Sequence, residues 1–180
     1  MAAATVRELG GVDILVNAAG GAESAPIART DLALWNRMVT VNLTSVFLCT
    51  SAFLPAMVEK GWGRVINVAS RAGLTGFAYV SAYCAAKHGV VGFTRSVARE
   101  LAGKGVTLNA LCPGYVDTDM TRRSAESIAL KTGMSLDQAI ARLAAFNPSG
   151  KLISPEQVAA AALLLASTEG RSINGEALEI

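Results

Sequence analysis

Three short runs of branched apolar residues constrain the fold more than any other feature of this sequence. They are VDILV at 12–16, RVINVA at 64–69 and VTLNALC at 106–112. Runs this short and this apolar are typical of strands that are buried on both faces. Helical sequence separates one run from the next, and this alternation predicts right-handed crossovers and a parallel sheet covered by helices on both sides. The predicted fold class is therefore α/β, with three layers.

Start and stop signals place helices between and after these strands. The predicted ranges are 2–9, 31–60, 79–102 and 155 to about 167, with helical stretches within 115–150 and a last short strand at 177–180. Thr30 is the predicted N-cap of the long helix, Gly61 its end, and Pro55 a site of bending. Capping boxes are expected at Ser135 and Ser154, each with a glutamine three residues later.

Composition narrows the class of protein. The 180 residues are 52% hydrophobic and 17% charged with a net charge of +2, which predicts one globular domain spanning 1–180. No basic run is present, so nucleic acid is not an expected partner. The apolar stretches are taken to be broken by charge or glycine before the ~20 residues that a bilayer span needs, so no membrane partner is expected.

The N-terminus and the cysteines point to the cytoplasm. Arg7 and Glu8 interrupt MAAATVRELGG too early for a signal peptide. The three cysteines are widely spaced without a C-x-x-C, which favours small buried thiols over a redox or metal site. A single histidine leaves little from which to build a metal centre, so no metal is expected.

The stretch SAYCAAKHGV carries the first chemical signal. Tyr83 and Lys87 are four residues apart and share one face of the predicted helix. A phenol titrates near ~10, and a neighbouring ammonium lowers its pKa toward the working range, so the pair can exchange a proton with an alcohol or carbonyl. The alternative is a half-buried tyrosine beside a surface lysine, since Y-x-x-x-K occurs often by chance.

Further motifs surround this pair in a fixed order. NAAG lies at 17–20, VNL at 41–43, NVAS at 67–70 and NALCPGYVDTDM at 109–120, and Ser70 precedes Tyr83 by 13 residues. In this order and spacing the sequence resembles the short-chain dehydrogenase/reductase family, nearest to bacterial 3-oxoacyl-thioester and polyketide ketoreductases. The resemblance implies a Rossmann-type fold and an NAD(P)(H)-dependent oxidoreductase that interconverts a carbonyl and a secondary alcohol.

The resemblance also implies a role for each catalytic candidate. Tyr83 would exchange a proton with the substrate oxygen, and Lys87 would lower the tyrosine pKa and hold the nicotinamide ribose. Ser70 would donate a hydrogen bond to the substrate oxygen, and Asn42 would hold a water that links Lys87 to solvent. Asn42 can instead satisfy a buried backbone group, and Ser70 can be a plain turn residue.

The cofactor implied is NAD or NADP. The residues expected to contact it are Asn17, Ala18, Gly20, Tyr83, Lys87, Pro113, Gly114, Val116 and Thr118. The glycines and the proline can also be turn formers only. Gly89 and Gly92, inside the predicted helix, are expected to permit close helix contact.

A substrate lid is expected at about 117–150. Its apolar residues can line a substrate slot or pack the lid onto the body: Ile128, Leu130, Met134, Leu136, Ile140, Leu143 and Phe146. The reaction implied by the resemblance is 3-oxoacyl thioester reduction or 3-hydroxyacyl oxidation, with steroid, sugar and small-alcohol substrates left open.

No G-x-x-x-G-x-G follows a strand near the start, so the expected fold is a partial Rossmann-type α/β/α sandwich with the first strands missing. This predicts weak nucleotide binding and leaves NAD and NADP undistinguished. The alternative function is a non-catalytic fragment that acts through self-association. A homodimer or homotetramer is expected, because the helices at 31–60 and 79–103 resemble the pair that forms the family's dimer interface.

Overall fold

A computed structural model describes residues 2–180 and contains one parallel four-stranded sheet in the order β1-β2-β3-β4. The strands are β1 (Ile14–Asn17), β2 (Gly63–Val68), β3 (Val106–Cys112) and β4 (Ala177–Glu179). The register pairs Ile14 with Arg64, Val65 with Leu108, and Cys112 with Glu179. All strands are therefore parallel, and the predicted α/β class is confirmed.

The helices follow the predicted alternation. They are α1 (Ala2–Leu9), α2 (Leu32–Val39), α3 (Ser45–Lys60), α4 (Ser81–Glu100), α5 (Asp119–Thr132), α6 (Leu136–Ala144) and α7 (Pro155–Ala166). Both predicted capping boxes are present, at Ser135 with Gln138 and at Ser154 with Gln157. α3 ends at Gly61 in the left-handed conformation, as predicted.

The long helix begins differently from the prediction. The Asp31 carboxylate, not Thr30, caps α2 by accepting a hydrogen bond of 2.7 Å from the Leu34 amide. The Thr30 hydroxyl donates instead to the Pro26 carbonyl at 3.2 Å. Between α2 and α3 a π-helical turn, Thr40–Thr44, inserts without ending the helix, so Leu32–Lys60 is continuous.

This helix corrects the expectation that no apolar stretch reaches the length of a bilayer span. Leu32–Lys60 is 29 residues long with a mean hydropathy of 1.6 in its most apolar window. The sequence 38–58 contains neither charge nor glycine. Such a helix is weak evidence for a membrane, since core helices pass the same test. Here Val46, Phe53 and Met57 of α3 are buried against the sheet and α4.

The sheet has a helical layer on each side. Val65 and Leu108 pack with Phe53 and Met57 of α3, whereas Ile66 and Leu111 pack with Leu165 of α7. Alternate residues of each strand thus face opposite layers. The carboxyl ends of β1, β2 and β3 lie side by side, which brings the segments that follow them to one edge of the sheet.

Candidate active site

Helix α4 presents Tyr83 and Lys87 to this edge. Lys87 is 4% exposed, and its ammonium donates to the Val68 carbonyl at 2.7 Å. The Nζ atom lies over the Tyr83 ring, 5.8 Å from its centroid. No carboxylate pairs with Lys87 among residues 2–180. Burial therefore lowers the Lys87 pKa to about 8.

The expected effect of this lysine on Tyr83 is wrong in direction. Burial raises the pKa of Tyr83, and a hydrogen bond with Ser70 opposes only part of that rise. Lys87 is not among the groups that shift it. The physical reason is that the desolvation of the phenol dominates, while the lysine Nζ lies over the ring face and is bound to a backbone carbonyl. Tyr83 is therefore fully protonated at neutral pH.

Ser70 lies where β2 ends. It occupies the N-cap position of a short 3₁₀ turn, Arg71–Gly73, and its hydroxyl accepts a hydrogen bond of 3.1 Å from the Ala72 amide. Ser70 and Tyr83 both line one cleft at the sheet edge. The turn and the helix thus bring the serine and tyrosine hydroxyls, 13 residues apart in sequence, to the same surface.

Asn42 lies in the π-helical turn and is fully buried. Its amide nitrogen donates to the carbonyls of Gly21 (2.8 Å) and Met38 (2.9 Å), and its oxygen accepts from the Gly21 amide at 3.2 Å. The side chain thus joins the segment after β1 to the helix. The direct contacts of Asn42 are with backbone groups, which was the alternative considered for this residue.

The segment after β1 passes close to both Asn42 and Lys87. A Cβ on Gly20 would lie 2.9 Å from Asn42 Oδ1 and 3.6 Å from Lys87 Nζ. Only glycine fits so near these groups without a shift. Asn17 is 8% exposed and donates to Thr50 Oγ1 at 3.2 Å and to Asn67 Oδ1 at 2.8 Å, so its amide is used inside the fold. Ala18 is exposed beside it.

The third wall of the cleft is the segment after β3. Asn147, 3% exposed, accepts from the Tyr115 amide at 2.9 Å. The same side chain donates to the carbonyls of Tyr115 at 2.9 Å and Lys151 at 2.7 Å. A Cβ on Gly114 would collide with Asn147 Oδ1, so glycine is required there. Pro113 precedes this point, and Asn147 was missed by the sequence reasoning, which treated 115–150 only as a lid.

Val116 and Thr118 lead from this wall into α5. Val116 bridges to Ile153, and Thr118 occupies the N-cap position of α5 with its hydroxyl 3.4 Å from the Val116 carbonyl. Beside them Asp117 pairs with Arg122 at 3.1 Å. Thr118 thus lies at the positive end of a helix dipole.

The cleft between these walls has an empty volume of about 690 Å³, open to solvent. Its lining residues are mostly apolar or neutral: Ala22, Ser70, Arg71, Ala72, Phe77, Val80, Tyr83, Gly114, Tyr115, Met120, Thr121, Ser124, Phe146 and Asn147. The ring of Phe146 packs edge-on against Phe77 at 5.8 Å and lies 5.9 Å from the Tyr115 ring.

The lid residues divide as follows. Of the seven apolar residues considered, only Phe146 lines the cleft. Ile128, Ile140 and Leu143 pack α5 against α6, and Leu130 is 89% exposed. The structure thus supports packing within the lid for three of them, and the cleft takes Met120, Thr121 and Ser124 from the first turns of α5 instead.

The two glycines of α4 differ. A Cβ on Gly89 would lie 2.7 Å from Leu43, so Gly89 permits the predicted close helix contact. A Cβ on Gly92 would meet nothing within 4 Å, so within residues 2–180 this part of the prediction is wrong.

Comparison with known proteins follows this geometry. The family model described as short chain dehydrogenase matches residues 1–129, and the chain belongs to that family. This confirms the resemblance found in the sequence motifs. The oxidoreductase class and the parallel α/β architecture agree with the relatives below.

Among curated relatives, the chain is 44% identical over 169 residues to D-beta-hydroxybutyrate dehydrogenase of Cupriavidus necator, covering 93% of this chain and 66% of that protein. It is 42% identical to 3-oxoacyl-[acyl-carrier-protein] reductase of Vibrio cholerae, covering 98% of this chain and 68% of that protein. The chain thus spans about two thirds of the length of these relatives.

Among solved structures, actinorhodin polyketide ketoreductase crystallised with NADPH matches with a TM-score of 0.94 at 38% identity. The match covers 99% of this chain and 69% of that one. Ketoreductases are therefore among the similar proteins by sequence and by structure.

Proposed function

We propose that the chain is the catalytic part of an NAD(P)(H)-dependent oxidoreductase that interconverts a carbonyl and a secondary alcohol. The observation that carries this proposal is the meeting of the Ser70 and Tyr83 hydroxyls in one cleft, beside a buried lysine that has no carboxylate partner in residues 2–180. A buried lysine with a pKa lowered to about 8 reduces stability, and such groups cluster at functional sites.

The protonation states support a carbonyl reduction at neutral pH. Because burial raises the Tyr83 pKa, the phenol carries its proton and can donate it to an oxyanion that develops from a carbonyl. The Ser70 hydroxyl would donate a hydrogen bond to the same oxygen and hold it in place. In the oxidation direction the two groups would act in reverse, with Tyr83 receiving the proton.

The residues at the sheet edge fit the nicotinamide half of the cofactor. The close approach at Gly20 leaves backbone open where a Cβ would collide with Asn42. Lys87 Nζ uses one of its three hydrogens on the Val68 carbonyl, so the others can bind a ribose diol. When bound, NAD or NADP would supply or accept the hydride.

Further residues would complete this binding surface. We assign Pro113, Gly114 and Val116 as the wall against the nicotinamide, with Thr118 at the α5 N-terminus for an amide or phosphate group. Asn17 and Ala18 would shape the segment after β1. Asn42 would fix the Gly20–Gly21 turn and, as the resemblance implies, hold a water in a relay from Lys87.

The relatives supply the candidate substrates and the assembly. Their names include a hydroxy acid dehydrogenase and 3-oxoacyl and polyketide reductases, so the proposed reaction is 3-oxoacyl reduction or 3-hydroxyacyl oxidation. The exposed Phe47 and Leu48 of α3 support a homo-oligomer through the α3–α4 face. Three free cysteines favour the cytoplasm.

Tyr83→Phe tests the proposal, because it removes only the hydroxyl. We expect turnover of an oxo-ester with NADH or NADPH, followed by nucleotide absorbance, to fall at least about 100-fold. The unfolding midpoint should change little. The matched control is Tyr79→Phe, since Tyr79 is 66% exposed and does not line the cleft. Near-normal turnover by Tyr83→Phe would remove the proton-donor assignment.

Absence of turnover in the unmodified chain, together with concentration-dependent self-association, would favour the alternative of a non-catalytic fragment. That alternative has one supporting observation. β1 is an edge of the described sheet, with Ile14 and Val16 about half exposed (45% and 48%).

A further inference from the structure

We infer that the cleft selects a neutral oxo substrate, such as an ester or thioester, and rejects the corresponding free carboxylate. The inference rests on the proposed function, because it concerns the substrate that reaches Ser70 and Tyr83. It separates two classes that the relatives leave side by side, the free hydroxy acid and the esterified oxoacyl chain.

The charge of the lining carries the inference. Of the cleft-lining residues, all within 2–180, Arg71 alone carries a formal charge. Its Nε lies 2.6 Å from Glu179 Oε1, and another guanidinium nitrogen donates to the Phe146 carbonyl. The cation is thus already neutralised by a carboxylate of the same chain.

The fold holds this ion pair in place. Glu179 is fixed by parallel pairing of β4, where it lies opposite Cys112 of β3. The Arg71 amide donates to the Pro113 carbonyl at 3.0 Å. The Arg71 side chain is 23% exposed, so little space remains for it to turn away from Glu179.

An incoming carboxylate would therefore meet a carboxylate rather than a free cation. Lys87 offers no substitute, because it does not line the cleft and is hydrogen-bonded to the Val68 carbonyl beneath the Tyr83 ring. A neutral carbonyl compound pays no such penalty, and the aromatic cluster of Phe77, Tyr115 and Phe146 gives it an apolar surface. Like-charge contact in a binding site is costly enough to discriminate ligands.

The test compares benzoylpropionate, a keto acid, with its methyl ester on the 180-residue chain. The two probes share the ketone and the phenyl ring and differ in charge. Binding is measured by titration calorimetry and by ligand-observed NMR, so the readout needs neither nucleotide nor turnover. We expect the ester to bind at least about tenfold more tightly than the acid.

Glu179→Gln should release the Arg71 cation. We expect it to strengthen binding of the acid at least about fivefold and to leave ester binding within about twofold. Glu179→Asp keeps the charge and should keep the wild-type preference. The control Glu176→Gln makes the same charge change at an exposed residue outside the cleft, and it should alter neither affinity.

Equal affinity for acid and ester, an unchanged ratio in Glu179→Gln, or no binding of the ester at its solubility limit would each overturn the inference. Turnover separates this from the proposed function. Ester binding without hydride transfer would refute the proposed reaction alone, whereas equal turnover of acid and ester would refute the charge selection alone.

Discussion

The buried ammonium of Lys87 predicts a pH dependence of stability that one substitution isolates. In an unfolded chain the lysine pKa is 10.5, and in the folded protein burial lowers it to about 8. Between these values the unfolded state binds more protons, so the free energy of unfolding rises with pH. At neutral pH the folded state carries the full cost of the buried charge, and that cost is relieved as pH rises from about 8 toward 10.5.

The magnitude follows from the same two pKa values. At 1.36 kcal/mol per pH unit, the difference between 10.5 and about 8 is a cost of about 3 kcal/mol. Lys87 is 4% exposed, so solvent screening reduces it little. Lys87→Met removes the titrating group, so the wild type should gain about 3 kcal/mol of stability relative to the variant between pH 7 and 10.5.

Urea unfolding at half-unit steps across this window measures the difference. The titration of all other groups is common to both proteins and cancels. The loss of the hydrogen bond to the Val68 carbonyl shifts the variant by a constant amount and leaves the slope unchanged. A difference that stays flat from pH 7 to 10.5 would refute the argument that burial depresses this lysine.

Three further predictions concern packing and assembly. Asn147→Ala should cost about 2–3 kcal/mol in urea unfolding, because it leaves buried backbone groups of Tyr115 without partners, whereas the exposed Asn36→Ala should cost little. Gly105→Ala should destabilise more than Gly103→Ala: both glycines have positive φ (73° and 75°), but only at 105 would a Cβ collide with a backbone oxygen. Gly92→Glu, at an open position on α4, should shift light scattering toward monomer while Gly92→Ala should not; unchanged mass would exclude this face.

The strands were predictable because their signals are local. β3 has the predicted bounds, Val106–Cys112, and its seven residues are all buried, as an apolar run between two helices requires. The start of α4 was not predictable in the same way. Tyr79 has a φ of 68° and its carbonyl accepts from the Ala25 amide at 2.8 Å, so a contact across 54 residues ends the loop and delays the helix to Ser81.

The candidate site shows the same division. Spacing alone placed Ser70 and Tyr83 together, since a turn and a helix of known length connect them. Arg71, Asn147 and Glu179 carry no motif, and their importance arises only from contacts over long sequence separations. Each is a polar residue that the fold brings beside the cleft, which sequence periodicity does not encode.

The protonation of Tyr83 shows why geometry must precede electrostatics. Helical spacing places an ammonium on the same face as the phenol, and charge proximity alone would lower the phenol pKa. The same small residues that clear space around the pair also allow both side chains to be buried, and desolvation then raises the phenol pKa and lowers that of the ammonium. Within the chain itself, therefore, Tyr83 is set as a proton donor. Any lowering of its pKa for oxidation must come from a charge that arrives in the cleft, because the described residues place none there beyond the Arg71–Glu179 pair.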